Sequence, residues 1–281
     1  MSNSASVNLV RASQGDPTQL DAIWPVACND LIRLGSAYDG GYVIPLRALN
    51  AANALLSFGL SHDWNFEREF GRRKPDAAIH CYDHTISFLS ACQYSIRQVA
   101  RAFIRRDFRH PRRSVAWADY LAFFHGNRKH FQERAWFKTE DGSVSASDSV
   151  ARLPKDAQIF VKMDIEGSEY RVLPGLLDHS DRIVALAVEF HDIDLLSERF
   201  NALIKEIKQH FYVVHVHGNN MGGTTPSNFP IALEITFLNK RLFAEPPAPS
   251  QASYPLQNLD RPNHPGLPDY AFEFSSSIPS K

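Results

Sequence analysis

One stretch of ten residues, Val161-Lys-Met-Asp-Ile-Glu-Gly-Ser-Glu-Tyr170, restricts this chain more than any other. The apolar residues Ile159, Phe160, Val161, Met163 and Ile165 lead into a cluster of carboxylates and then a glycine. Such a run predicts a strand buried on both faces, the strand type of a parallel α/β sheet. In open sheets of that kind ligands sit beyond the carboxyl ends of the strands. Asp164, Glu166 and Glu169 fall at that edge, where an ionised group costs free energy unless something binds it. A helix N-terminus, which welcomes negative charge, would account for the same acids without a ligand.

The rest of the chain repeats the pattern. Ala54–Leu60, Ala77–Tyr82 and Arg182–Phe190 read as buried strands, and Arg134–Lys138 as a weak one. Helical signals start at Asn65, run from Tyr170 to Leu177, and space Leu195, Leu196, Phe200, Leu203, Ile204 and Ile207 along one face. Phe211–Val216 and Ala232–Leu238 are joined by a Gly/Asn/Pro-rich loop with no helix, so that pair can be antiparallel. Repeated βα units closing on such a pair predict an α/β fold with a doubly wound, mostly parallel Rossmann-like sheet. Arg33–Pro45 carries Asp39-Gly40-Gly41, a tight reversal between two short strands.

Three segments stand outside this rhythm. Residues 1–25 are polar and expected to be loosely ordered, ahead of one α/β domain over 26–245. Residues 90–130 are basic and aromatic, with Arg97, Arg101 and Arg105 four apart on one predicted helix face. They read as a helical insertion, either a solvated surface or a dock for an anionic partner. Residues 246–281 are Pro-rich, yet Asp269–Phe274 alternates polar and apolar, so this segment is expected to dock back as an edge strand.

Composition removes several classes. The net charge of −1 gives the whole molecule no polyanion-binding signature, so nucleic acid is not the expected partner. Cys28, Cys81 and Cys92 are odd in number and form no CxxC pair, which argues against a disulfide framework or a structural zinc site and suits a reducing compartment. No apolar stretch approaches the roughly 20 residues of a membrane span, and the start lacks a secretion-signal pattern. Cytoplasm is the expected location.

Chemistry gathers at the predicted strand ends. Gly59 lets the backbone turn close to a ligand, and Ser61-His62-Asp63-Trp64-Asn65 leads into a helix whose free N–H groups can bind an anion. The fingerprint G-x-G-x-x-G is absent. Asp83, about two dozen residues on, stands where an acid can accept hydrogen bonds from both hydroxyls of a ribose. Glu189-Phe190-His191-Asp192 ends the fifth strand, and His215 and His217 point to one face of the sixth. Asp164, Glu189 and His217 are candidate ligands for a divalent metal, magnesium or manganese, or could hold a general base near a hydroxyl. A turn satisfied by His217 and Asn219 would explain the same residues without a metal.

At these residues the chain resembles the FkbM-type methyltransferases, a branch of the class I S-adenosylmethionine-dependent enzymes. Phe160-Val-Lys-Met-Asp-Ile-Glu-Gly-Ser-Glu-Tyr-Arg-Val-Leu173 is similar to that family's K-[IM]-D-[IV]-E-G-x-E strand-and-helix signature. Supporting matches are Leu34-Gly35 with Asp39-Gly40-Gly41-Tyr42, Ser57-Phe58-Gly59 with Phe66-Glu67, Tyr82-Asp83, Glu189-Phe190-His191 and Leu259-Asp-Arg-Pro-Asn263. The likeness spans roughly residues 33–274. It implies a seven-stranded sheet, S-adenosylmethionine as the cofactor, and methylation at oxygen of a sugar or other small molecule. It further implies cofactor contacts from Gly59, Ser61, His62, Asp63, Glu67, Asp83, His84 and Asp164. One departure is that Leu60-Ser61-His62-Asp63 follows a single glycine where class I enzymes usually carry a Gly-rich loop. His191 or His217 is the expected general base, with Asp164 orienting it or the cofactor. Two other readings stay open: a non-catalytic protein docking an anionic partner through the arginines, and a metal-dependent α/β hydrolase built on Asp164, Glu189 and the histidines.

Overall fold

The computed structural model describes residues 7–11, 20–105 and 116–274. In chain order the first part forms β1 (Val7–Arg11), β2 (Leu31–Gly35), β3 (Gly41–Pro45), α1 (Leu46–Ala51), β4 (Ala54–Phe58), α2 (Asn65–Arg73) and β5 (Ala78–Tyr82). Then follow α3 (Phe88–Arg105), α4 (Ala116–Phe123), β6 (Arg128–Phe131), β7 (Arg134–Trp136), β8 (Ser143–Ser145) and α5 (Ala146–Ala151). The last part holds β9 (Ile159–Met163), α6 (Glu169–Leu177), β10 (Ile183–Phe190), α7 (Ile193–His210), β11 (Phe211–Gly218), β12 (Leu233–Asn239) and β13 (Asp269–Glu273).

Seven strands make one sheet in the order β6-β5-β4-β9-β10-β12-β11. All pairings are parallel except those of β12, which runs antiparallel to both β10 and β11. This is the doubly wound, mostly parallel architecture with an antiparallel last pair that the sequence pattern predicts. Every residue of β4, β9, β10 and β12 is buried, which is why these strands are mostly apolar, broken by Ser57, Lys162, Glu189, Glu234, Thr236 and Asn239. One apolar layer sets Val161, Met163 and Leu186 against Leu173 and Leu176 of α6 and Phe200 and Ile204 of α7. The opposite layer sets Leu55, Phe160 and Ala187 against Phe66 and Phe70 of α2. Full burial of each such side chain contributes about 1.5–3 kcal/mol.

The structure redraws three local expectations. Arg128–Phe131, inside the stretch expected as a helical insertion, is the outermost strand β6 of the main sheet. It escapes a pattern search because an edge strand needs no apolar run, and its residues are mostly half-buried. The weak strand at Arg134 pairs with β8 in a separate two-stranded sheet. Val7–Arg11, in the segment expected to be loosely ordered, pairs in parallel with β13, so the C-terminal segment adds its strand to β1 and not to the edge of the main sheet. Helices α3 and α4 occupy the basic segment, but the side chains of 101–105 and all of 106–115, with most of the arginines, lie outside the described residues. No helix among the described residues is long and apolar enough to cross a membrane.

Candidate active site

The strand order reverses between β4 and β9: β5 and β6 extend one way from β4, and β10, β12 and β11 extend the other way from β9. Connections there leave toward opposite faces, so a crevice opens beyond the carboxyl ends of the two strands. Register brings the tips level, with Phe58 opposite both Tyr82 and Met163. Backbone bonds then tie the next residues together. Gly59 N donates to Tyr82 O at 3.0 Å and Asp164 N to Phe58 O at 2.9 Å. Gly59 sits at φ +83°, and a Cβ there would lie 1.7 Å from the Asp164 carbonyl oxygen. Only glycine lets these two chain segments touch.

Lys162 holds the same junction from below. Its buried ammonium donates to Gly59 O at 2.6 Å. Burial would discharge it, but Asp164, Glu67 and Glu189 outweigh that and keep it charged.

Beyond these tips lies a cavity of about 560 Å³, walled by Gly59, Ser61, Asp83, His84 and Asp164. Five of the eight residues named as cofactor contacts therefore face one space. The other three face elsewhere. The His62 ring stacks on Tyr94 at 3.9 Å. Asp63 accepts from Asn65 N at 2.9 Å and from the Ser36 hydroxyl, clamping the β2–β3 loop to the start of α2. Glu67 turns into the core, where Ser57 Oγ donates to it at 2.5 Å and burial raises its pKa. It lies on the buried face of α2 with Phe66 and Phe70, so helical spacing decides its direction.

Asp83 both lines the cavity and shapes it. One carboxylate oxygen accepts from Leu60 N at 2.9 Å and Ser61 N at 3.0 Å. The other accepts from Thr85 N at 2.7 Å and Thr85 Oγ1 at 2.6 Å. Burial would raise its pKa, but these donors outweigh it and hold the carboxyl below its ordinary range. All four lone-pair positions are engaged, so a ligand hydroxyl has to share them.

His191, just past β10, stands in a ring of acids. Its Nδ1 lies 3.0 Å from Glu169 Oε1. Its Nε2 lies 3.6 Å from Glu166, 3.7 Å from Glu189 and 3.8 Å from Asp164. Burial would lower its pKa, but the Glu169 hydrogen bond and the surrounding carboxylates push it up to about 9. His217 is fully buried between Glu234, at 3.3 Å, and Asp269, at 3.1 Å, and those bonds overcome burial to raise its pKa well above the ordinary value. Both histidines expected as bases are thus biased toward the protonated form, because each has at least two carboxylate neighbours. Glu189, capped by Asn219 at 2.5 Å, is pushed up by burial and by Asp164.

The metal candidates do not form one group. Asp164 and Glu189 approach His191, whereas His217 belongs to the separate network with Glu234 and Asp269. The ligand-forming set among the described residues is Asp164, Glu166 and His191. Reasoning from sequence also misses Tyr82, Thr85, Glu133, Arg134 and Ala135 in the cavity wall. Thr85, two residues after an acid, carries an Asx-turn signal that could have found it. Glu133–Ala135 follow β6 and are invisible for the same reason as that strand.

No protein-family model matches the sequence, and no curated protein matches it. Among solved structures the chain is similar to a precorrin-6y C5,15-methyltransferase from Geobacter metallireducens GS-15, at 12% identity and TM-score 0.36 over 69% of this chain and 85% of that one. It is similar to a fibrillarin/Nop5p complex at 12% identity and TM-score 0.37, over 77% and 98%. It is also similar to residues 942–1257 of the StiE O-MT, at 11% identity and TM-score 0.36, over 68% and 69%. Each is a remote likeness.

Proposed function

We propose that this protein is an S-adenosylmethionine-dependent methyltransferase of the FkbM type, acting on oxygen of a sugar or other small molecule. The observation that carries the reading is the crevice itself. Gly59, Asp83 and Asp164 come from three neighbouring strand tips to wall one cavity, at the reversal of strand order where α/β sheets bind nucleotides. About 560 Å³ is a ligand-sized space. Its acidic wall suits a donor that is a cation, bearing a sulfonium and an ammonium group.

The donor supplies a methyl group already activated on sulfur, so the protein's work is positioning, worth up to roughly 7–11 kcal/mol of barrier. In this reading Gly59 and Ser61 present backbone to the donor, and Asp83 fixes that loop while sharing a lone pair with the ribose. Asp164 lies beside the positive sulfur. The proton of an acceptor hydroxyl passes to the carboxylates at His191, Asp164 first. His191 enters as a cation that keeps those carboxylates ionised and becomes a base only after losing its own proton.

Calorimetry with S-adenosylmethionine and S-adenosylhomocysteine tests this. The intact chain is expected to bind both. Asp164→Asn is expected to bind the cationic donor about 10- to 150-fold more weakly, the loss of one charge-assisted contact of about 1.5–3 kcal/mol, and the neutral product with little change. Absence of heat and of thermal shift with both ligands would overturn the reading.

A further inference from the structure

Beyond the cavity wall, the geometry points to a divalent transition-metal site, of the manganese type, formed by Asp164, Glu166 and His191 with Glu189 beneath them. This site is a property of those side chains and stands whether or not the donor is S-adenosylmethionine.

The distances separate a metal site from a hydrogen-bonded cluster. His191 Nε2 is 3.6–3.8 Å from an oxygen of each of Glu166, Glu189 and Asp164. All three exceed hydrogen-bond length. Atoms of Asp164, Glu166 and His191 that can ligate all lie within 4.8 Å of one another. The in-plane centre of three atoms 3.6–4.8 Å apart is about 2.1–2.8 Å from each, a range that includes the bond length of a first-row ion to nitrogen or oxygen.

Two further observations are independent of the acids' proximity. The ring orientation of His191 is set by Glu169, a fully buried carboxylate whose Oε1 also accepts from Ile165 N and Gly167 N. With Nδ1 anchored there, Nε2 is the ring atom presented to the crevice. A histidine tethered through its other nitrogen to a carboxylate is the arrangement that orients imidazole for a metal. In addition, the Glu189 side chain is only 5% exposed. Its Oε1 takes the Asn219 amide and is also the oxygen that lies 3.7 Å from His191 Nε2. A buried carboxylate beside the same histidine is costly without a cation.

The donor set decides the metal. One imidazole with two or three carboxylates suits manganese, iron(II) or zinc, whereas magnesium prefers oxygen alone. On the methyl-transfer reading, an ion held there beside Asp164 would polarise the acceptor hydroxyl and do the work a neutral base does elsewhere.

The test uses the full chain, stripped with chelator and desalted, titrated with manganese chloride alone and followed by electron paramagnetic resonance and calorimetry. One manganese per chain is expected, held at least about 10-fold more tightly than magnesium, with a nitrogen coupling in the spin-echo spectrum. Glu166→Gln, at an exposed position that leaves folding intact, and His191→Gln are each expected to weaken binding at least about 10-fold, the second abolishing the nitrogen coupling. Glu140→Gln, an exposed acid paired with Lys138, is the unaffected control. No bound manganese, or equal binding by the Glu166 variant, overturns the site. Manganese binding without any response to S-adenosylmethionine overturns the methyl-transfer reading and leaves the site standing.

Discussion

Gly59→Ala is expected to lower stability by roughly 2–6 kcal/mol and to abolish ligand binding at the crevice. Two costs combine. A non-glycine residue held at φ +83° carries about 1–3 kcal/mol of backbone strain. The added Cβ meets the Asp164 carbonyl oxygen at 1.7 Å, and overpacking of that kind costs typically another 1–3 kcal/mol because backbone has to move. The segments forced apart are the two that wall the cavity, and the Lys162 bond to Gly59 O stretches with them. In a thermal melt the midpoint should fall by about 2–4 °C for each kcal/mol. An alanine variant that melts with the parent and binds the donor normally would show that the β4–β9 contact does not shape the site. Gly142, also at positive φ but with nothing within 4 Å of its Cβ position, is the comparison that isolates the clash from the strain.

Asp260→Ala is expected to cost about 1–3 kcal/mol, the penalty of leaving buried hydrogen-bonding groups on His215 and Leu256 without their partner. Asp260 reaches from the C-terminal segment to His215 on β11, at 3.1 Å, and also accepts from Leu256 N at 2.6 Å. Asn263 and Asp269 of the same segment hold Glu234 and His217. The Asn220 amide donates to the carbonyls of His264, Leu267 and Pro268. Calorimetric melting and limited proteolysis of residues 246–274 should show the segment loosening together with the loss of stability. A variant that melts within about 2 °C of the parent would mean the pair contributes little.

The same network fixes a pH window. Burial would raise the Asp260 pKa, but His215 and His217 outweigh it and lower it, so its contribution is full above about pH 4 and is lost as pH falls through the lowered value. His217 has a raised pKa, so its contribution is full below about pH 6.5 and is lost as pH rises through the raised value. Denaturant titrations are therefore expected to find the attachment strongest between about pH 4 and 6.5. A monotonic gain in stability from pH 6 to 9 would contradict this.

Part of the candidate site is legible in the sequence. Gly59 reads as a ligand-side turn because a lone glycine closes a buried strand. Asp83 and Asp164 stand out because carboxylates end such strands. His62, Asp63 and Glu67 read as neighbours of the crevice because one-dimensional order places them in the loop and helix after β4, whereas helical phase, the Ser36 clamp and a stacking partner in α3 turn their side chains elsewhere. Glu166 was visible in the motif, but its approach to His191 depends on two loops from different strands meeting.

What the sequence by itself determined is the architecture: strands buried on both faces are mostly apolar, so β4, β9, β10 and β12 announced themselves and their order of βα units implied a doubly wound sheet. Only the tertiary structure decided protonation and partnership. His191 and His217 look alike as residues near strand ends, yet one faces an acid-walled crevice and the other is sealed against the C-terminal segment. The reason is physical. A pKa or a ligand set depends on nearby charges, and those charges come from residues far apart in the chain, as Glu67 and Lys162 or His217 and Asp269 are.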